Sequence, residues 1–295
     1  MEHAAAHRKT DGKPKGTLYV VATPIGNLRD ISLRALDVLK QVAVVAAEDT
    51  RVTAKLLNHY GIGAKLTALH EHNEKRAVLA LLEQGDSVAL VSDAGTPGIS
   101  DPGAQLTAAA RAVGYTVTPV PGASAVVAAL SAAGIAVSHF LFYGFLPARA
   151  AERRRELARL AAYPFTLVFF EAPHRVADSV ADMRAALGAA RRIVIARELT
   201  KLFETIHACP LAEAVDWLNA DDHRRKGEFV LIVEGAFPGA ADGAEAQRAL
   251  EVLLAELPLK QAVALATRIT GAKRNELYQL ALKIKGEQQA ASGEQ

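Results

Sequence analysis

Cysteine is nearly missing from this chain: among 295 residues there is one, Cys209. A lone thiol excludes an internal disulfide and any zinc site built from several cysteines, and it fits a reducing compartment, so the cytoplasm is the expected location. Long apolar runs are missing as well. No segment approaches the ~20 uninterrupted apolar residues that span a bilayer, and residues 1–16 are polar and basic without an apolar centre, which argues against secretion and membrane insertion. The alanine-rich stretch 123–136 is apolar but short and broken by Ser131 and Gly134, as suits a buried helix. Charge of one sign is scarce too. With a formal net charge of +2, any polyanionic partner must be met by a local basic patch.

Several catalytic signatures are absent. No strand-like run is followed by Gly-x-Gly-x-x-Gly, no phosphate loop ends in Gly-Lys-Ser/Thr, and there is no Gly-x-Ser-x-Gly nucleophile turn. Dehydrogenase, kinase and hydrolase readings lose ground accordingly. His70 and His72 hint at a metal pair, but no further ligands gather near them in sequence and Glu71 would point the other way on a strand, so no metal is expected.

What is present is the composition of a globular enzyme, 51% hydrophobic and 22% charged, and a length that exceeds the usual ~100–200 residues of one domain. Two lobes with a small appendage are therefore expected. Past a disordered tail at 1–16, apolar runs at 17–22, 42–47, 66–69, 87–91 and 115–120 alternate with helical periodicity, the pattern of a largely parallel sheet over 17–135. Its ligand should sit beyond the carboxyl ends of the strands. A second lobe over 136–236 has strand-like runs at 140–145, 165–170, 193–196 and 228–233, with helices at 149–162 and 211–219. The stretch 236–245, rich in Gly and Ala, reads as a linker, and 246–285 carries two short amphipathic helices, 259–269 and 272–284, spaced as a helix-turn-helix.

Polar residues collect at the strand ends. The loop 92–103 holds three glycines and two prolines, a fixed backbone shape able to present N–H and C=O groups to a ligand. Within it Asp101 before Pro102 reads as a helix N-cap, while Asp93 suits a structural or a functional role equally. Glu171, His174, Arg175, Arg197 and Lys201 gather at two strand ends of the second lobe, as surface charge or as a substrate cleft. Lys273 and Arg274 open the last helix, where cations oppose the helix dipole, so they point toward an anionic partner or are simply solvated.

Thr23-Pro24-Ile25-Gly26-Asn27-Leu28, Ala47-Glu48-Asp49-Thr50-Arg51, the loop 92–103 and Pro121-Gly122-Ala123-Ser124 occur together in that order. In this combination the chain resembles the tetrapyrrole methylase superfamily. Glu171-Ala172-Pro173-His174-Arg175, Arg197-Glu198-Leu199-Thr200-Lys201 and Thr270-Gly271-Ala272-Lys273-Arg274-Asn275 narrow the resemblance to the branch that methylates a cytidine ribose of 16S ribosomal RNA. The likeness covers nearly all of 17–284.

The resemblance implies an α/β, two-domain tetrapyrrole-methylase-like fold with S-adenosyl-L-methionine in the cleft, usually as a homodimer. The substrate would be a cytidine 2′-hydroxyl in the decoding centre of 16S rRNA or the small ribosomal subunit. Carried over by motif, the cofactor contacts fall on Pro24, Gly26, Asp93, Ala94, Gly95, Thr96, Pro97, Ser124, Ala125 and Phe170. Displacement on a methyl carbon gains most from alignment, yet the hydroxyl proton needs an acceptor, for which Glu171, Asp49 and His174 are the candidates. Arg51, Arg197, Lys201, Lys273 and Arg274 are the expected RNA contacts. Two rivals stay open: carbon methylation of a tetrapyrrole precursor, whose carboxylates the same arginines could bind, and a non-catalytic RNA-binding module.

Overall fold

The computed structural model describes residues 15–69, 72–99, 103–135, 137–236, 240–270 and 272–292, and within these not the side chains of 72–74, 240–245 and 285–292. The tail at 1–14, the histidine pair at 70 and 72, the Asp101-Pro102 cap and Gly271 therefore lie outside the described residues, in whole or in their side chains.

The first sheet has five strands, β1 (Thr17–Val21), β2 (Val44–Ala47), β3 (Lys65–Ala68), β4 (Val88–Val91) and β5 (Thr116–Val120), in the order β3-β2-β4-β1-β5 and parallel throughout. β2 and β4 are buried along their whole length, as their unbroken apolar sequence requires. α1 (Leu33–Gln41) and α2 (Thr50–His59) cover one face, packing Leu39 and Leu57 on Val21, Val45 and Val91. α3 (His72–Glu83) and α4 (Ala104–Ala112) cover the other, setting Val78, Leu82 and Leu106 on Leu18, Val88 and Leu90. Because β1 and β4 are neighbours whose following helices leave to opposite faces, their carboxyl ends open a crevice at a topological switch point. α4 starts at Ala104 with Gly103 as its N-cap at φ 128°, a position two residues beyond the expected cap at Asp101.

α5 (Ala125–Ala132), the alanine-rich helix, joins the two lobes: Val126 and Ala129 pack on Val168, Val194, Val230 and Ile232 of the second sheet. Small side chains allow that close approach of helix to sheet. The second sheet comprises β6 (Phe140–Phe145), β7 (Thr166–Glu171), β8 (Arg192–Arg197), β9 (Thr205–Pro210) and β10 (Phe229–Val233), in the order β6-β7-β10-β8-β9. Only β6 and β7 run parallel; the other pairs are antiparallel. Its outer face is covered by α6 (Ala150–Leu160), α7 (Val176–Leu187) and α8 (Leu211–Asn219), through Leu157, Val180, Met183, Leu211 and Leu218.

Three features depart from the sequence reading. β9 is an edge strand whose residues are exposed or half-buried except Cys209, and it ends in Pro210, so it lacks the apolar run that marks the others. α7 was passed over although Val176, Val180, Met183 and Leu187 carry a helical period and are all buried. The stretch read as a linker instead enters α9 (Ala240–Glu256), since alanine is the best helix former and outweighs the glycine beside it. α9, α10 (Leu259–Thr270) and α11 (Arg274–Ser292) share their own core of Leu250, Val263, Ala266, Leu277 and Ala281. Among the described residues no helix is long and apolar enough to cross a membrane.

Candidate active site between the lobes

A cavity of about 380 Å³ lies where the carboxyl ends of the first sheet meet α5 and the second sheet. The first lobe contributes Ile25 after β1, Ala94, Gly95, Thr96 and Ile99 after β4, and Ser124, Ala125 and Val126 at the start of α5. The second contributes Phe145, Phe170, Glu171, Ala172, Pro173, Leu199, Glu228, Phe229 and Val230. Phe170 meets Phe142 and Phe145 edge to face at 4.9 and 5.6 Å, so the wall is an aromatic cluster.

The first-lobe loops are stapled to each other by their backbones. Thr23 N–H donates to Gly95 O at 2.8 Å and Gly95 N–H donates back to Thr23 O at 3.1 Å, while the buried Thr23 hydroxyl donates to Ser92 O at 3.0 Å. Thr96 Oγ1 ties the same loop to Ala123 O at 3.2 Å. Gly95 holds φ +83°, a left-handed conformation that a side chain resists, and a Cβ there would stand 3.4 Å from Ile25. Gly26 passes so close to the second lobe that a Cβ would lie 3.0 Å from Leu199 O and 2.6 Å from Lys201 Cγ. Of the expected cofactor contacts, Ala94, Gly95, Thr96, Ser124, Ala125 and Phe170 line the cavity. Pro24 and Pro97 are buried beside it, and Gly26 and Asp93 shape the loops behind it. Asp93 accepts from Asp49 N–H at 2.9 Å, and its own N–H reaches Glu48 Oε2 at 3.3 Å.

The second-lobe rim is held by buried charge. Glu171, 3% exposed, accepts from Ala172 N–H at 2.8 Å, from Arg175 Nε and Nη2 at 3.0 and 2.7 Å, and from Ser179 Oγ at 2.5 Å. Both carboxylate oxygens are thus engaged in fixing the turn that leads into α7. Arg197 ends a strand buried from its second residue onward, and its guanidinium turns inward, donating to Lys226 O at 2.6 Å and Phe203 O at 3.2 Å. Lys201 bridges Glu198 and Glu228 at 2.8 and 2.9 Å. Burial opposes its charged form, but the bonds to Glu198 and Glu228 outweigh burial and raise its pKa. The loop between β8 and β9 is strained, with Glu198 at φ 52° and Thr200 at φ 66°, and Thr200 Oγ1 is buried without a partner among the described residues.

Asp49 caps α2, accepting from Arg51 N–H at 2.8 Å, and pairs with the Arg51 guanidinium at 2.6 Å. The Arg51 side chain and then its N–H hold the Asp49 carboxyl down at a pKa of about 2. Among the three expected proton acceptors, His174 alone makes no hydrogen bond among the described residues. It stands exposed one residue past Pro173, the residue shared by the cavity and a neighbouring groove. The Arg51 side chain is 87% exposed. Lys273 and Arg274 are exposed at the start of α11, where Lys273 pairs with Glu276 at 3.4 Å. The structure therefore gathers Glu171, His174, Arg197 and Lys201 at one rim and leaves Arg51, Lys273 and Arg274 on the surface. The sequence reading missed Ile25, Ile99, Phe145 and Leu199, apolar residues at element ends that only the meeting of the two lobes turns into a wall. Among the described residues no group of His, Cys, Asp or Glu is placed to hold a metal.

Residues 17–215 match the family described as Tetrapyrrole (Corrin/Porphyrin) Methylases, and residues 240–285 match the RsmI C-terminal HTH domain. A Pseudomonas aeruginosa protein named Ribosomal RNA small subunit methyltransferase I is 56% identical, covering 92% of this chain and 98% of its own. A protein of the same name from Escherichia coli O157:H7 is 51% identical over 95% of this chain and 99% of its own. Among solved structures, a cobalt precorrin-4 methyltransferase of cobalamin biosynthesis matches with a TM-score of 0.56 at 20% identity, covering 73% of this chain and 94% of that one. The uroporphyrin-III C-methyltransferase from Thermus thermophilus matches with 0.55 at 19%, over 75% and 94%. At such identities these two likenesses speak for the fold alone.

Proposed function

The chain belongs to the tetrapyrrole methylase family, and on that premise we propose that it transfers a methyl group from S-adenosyl-L-methionine to the ribose 2′-hydroxyl of a cytidine in 16S ribosomal RNA. The observation that carries the choice of substrate is the pairing of a methylase fold with the terminal helical domain over 240–285, in a chain near half identical to named small-subunit rRNA methyltransferases along almost its whole length. In this reading residues 17–135 and 136–236 are the two lobes, the protein works as a homodimer in the cytoplasm, and its partner is the small ribosomal subunit.

The cavity suits the cofactor. Its size falls in the range of ordinary ligand sites, and its wall of Ile25, Phe170, Leu199 and Val230 accepts an adenine face. At the polar end, Ala94 to Thr96 offer backbone groups, and the Ser124 hydroxyl makes no cap bond to its own helix. The first N–H groups of α5 have no intrahelical acceptors and are open to a carboxylate. When bound, S-adenosyl-L-methionine supplies an electrophilic methyl on a sulfonium centre. The chain's own task is to hold the hydroxyl in line, and the apolar lining residues Phe145, Phe170 and Pro173 suit a site that disfavours water. Glu171 positions the turn bearing His174. With Glu171 saturated and Asp49 held down by Arg51, His174 is the group left to accept the hydroxyl proton. Arg51, Lys273 and Arg274 meet phosphates, while Arg197 and Lys201 keep the rim loop in shape.

The test is transfer of labelled methyl from S-adenosyl-L-methionine to small subunits lacking their modifications, with the product nucleoside identified by mass spectrometry. Ribose-methylated cytidine is expected, and His174→Ala should lower kcat by on the order of 10²-fold with cofactor affinity kept. Methylation of a tetrapyrrole precursor instead of RNA would overturn the reading. An unchanged kcat would remove His174 from it.

A further inference from the structure

Beside the methyl-donor cavity lies a second, more polar groove of about 430 Å³, lined by Pro173, His174, Ala177, Asp178, Asp222, Arg225 and Lys226. Pro173 belongs to both, so the two spaces share a wall. None of Asp178, Asp222, Arg225 or Lys226 figures in the methyl-transfer reading above.

Both sides of this groove are rigidly built. On one side the buried Glu171 holds Ala172 N–H, Arg175 and Ser179, which fixes the turn bearing His174 and the first turn of α7 bearing Asp178. On the other side Asp221 caps a 3-10 turn over Asp222–Arg225 by accepting from His223 N–H at 2.8 Å. Arg224 anchors that turn, lying 4.7 Å over the Trp217 ring and donating to Trp217 O at 3.0 Å. Arg197 fastens Lys226 through its carbonyl, and Gly227, at φ +99°, lets the chain pass where a Cβ would meet the Glu198 carboxylate at 2.5 Å. Two buried charges, Glu171 and Arg197, thus each brace one wall of the same groove. Such bracing belongs to a site whose geometry matters more than to a solvated surface.

The chemistry inside is balanced. Asp222 is already paired with Arg225, whereas Asp178 and Lys226 are exposed and have no partner among the described residues. A phosphate site needs cations in excess, and here two carboxylates face two cations. A free carboxylate and a free ammonium lining one groove match an edge that donates at one point and accepts at another. Cytosine presents such an edge, its exocyclic amine donating and its N3 and O2 accepting, while uracil places an acceptor where the amine would be.

We propose that this groove receives the base of the target nucleotide and selects cytosine over uracil, Asp178 accepting from the amine and Lys226 donating to N3 or O2. The proposal rests on the ribosomal RNA reading and deepens it: with the base past Pro173, the ribose of the same nucleotide stands at the mouth of the methyl-donor cavity. His174 lines the groove next to Pro173, the residue that both spaces share.

Two measurements on the full chain test it. In the first, methyl transfer is compared on unmodified small subunits carrying either cytidine or uridine at the target position, for the natural protein and for Asp178→Ala, Asp178→Asn and Lys226→Ala. The natural protein should prefer cytidine by about tenfold or more, in line with one good base contact. Asp178→Ala should erase that preference by slowing cytidine while leaving uridine, and Asp178→Asn, which can still accept, should restore part of it. In the second, cytidine and uridine monophosphates are titrated against the protein by nuclear magnetic resonance, with the cytidine preference expected to vanish in Asp178→Ala. Methylation that proceeds with the same preference in Asp178→Ala and Lys226→Ala overturns the groove and spares the function. Equal loss on both bases overturns base reading in favour of general RNA contact. A cytidine preference that depends on Asp178 in the titration, without any transfer to subunits, keeps the groove and sinks the function.

Discussion

On the first-lobe side of the cleft, the loops that line the cavity are joined mainly through the main chain: Thr23 and Gly95 exchange N–H and C=O, Thr96 reaches Ala123 O, and the Asp93 and Glu48 carboxylates accept from main-chain N–H groups rather than from charged partners. On the second-lobe side the same work falls to ionised side chains, with Glu171 gripping Arg175 and Ser179, and Arg197 gripping the carbonyls of 203 and 226. Glu171 thereby holds the turn between β7 and α7, and Arg197 holds the strained hairpin between β8 and β9. A side built from backbone tolerates side-chain change except at glycine. A side built from buried charge does not tolerate loss of either partner.

The largest loss is expected from Glu171→Ala. Its side chain is 1% exposed, and its removal strands the Arg175 guanidinium, 18% exposed, and the fully buried Ser179 hydroxyl. Removing one partner of a buried pair costs about 3 kcal/mol or more, so the denaturant midpoint should fall well below that of the natural protein. A loss under about 1 kcal/mol, the scale of a surface pair, would mean that charge does not hold the second-lobe side.

Next in size is Gly95→Ala, which probes the backbone-built side. Forcing a side chain into φ +83° costs about 1–2 kcal/mol, and the new Cβ comes into van der Waals contact with Ile25 on the cavity wall. Stability should drop by that amount, and cofactor affinity, read by calorimetry, should fall with it. Ser124→Ala, by contrast, removes a hydroxyl that bonds nothing in its own helix and should leave stability untouched.

The two sides also differed in how far the sequence revealed them. β2 and β4 are buried along their whole length and β1 in part, and their apolar runs, each closed by a polar strand end, located the first-lobe loops that line the cavity. Ala94, Gly95 and Thr96 were expected and do line it. The second lobe is where expectation and structure parted. Glu171 and Arg197 were marked as charges at strand ends, but a sequence does not say whether such a charge faces outward or is used up inside. Arg197 is used up because the strand it ends is buried to its last residue. The groove was illegible for another reason: Asp178 and Lys226 are 48 positions apart by their numbering, and no periodicity joins a helix start to a 3-10 turn.

The smallest effect concerns the pair at the edge of the backbone-built side, Asp49 and Arg51. The Arg51 guanidinium and N–H hold the Asp49 carboxyl at a pKa of about 2, below its ordinary 3.8. A carboxyl depressed in the folded state stabilises it fully above the unfolded pKa and loses that contribution as pH falls from about 4 through about 2. Arg51→Ala deletes the side-chain part and leaves the helix cap, because the N–H at 51 still donates. Melting temperature at neutral pH should therefore fall only slightly, and the acid limb of the melting profile between pH 4 and 2 should flatten by that same small amount, because the pair is lost from the natural protein once Asp49 is protonated. If Arg51→Ala lowered neutral-pH stability as much as Gly95→Ala does, an exposed ion pair would be holding the first-lobe side, and the division between backbone and charge would fail.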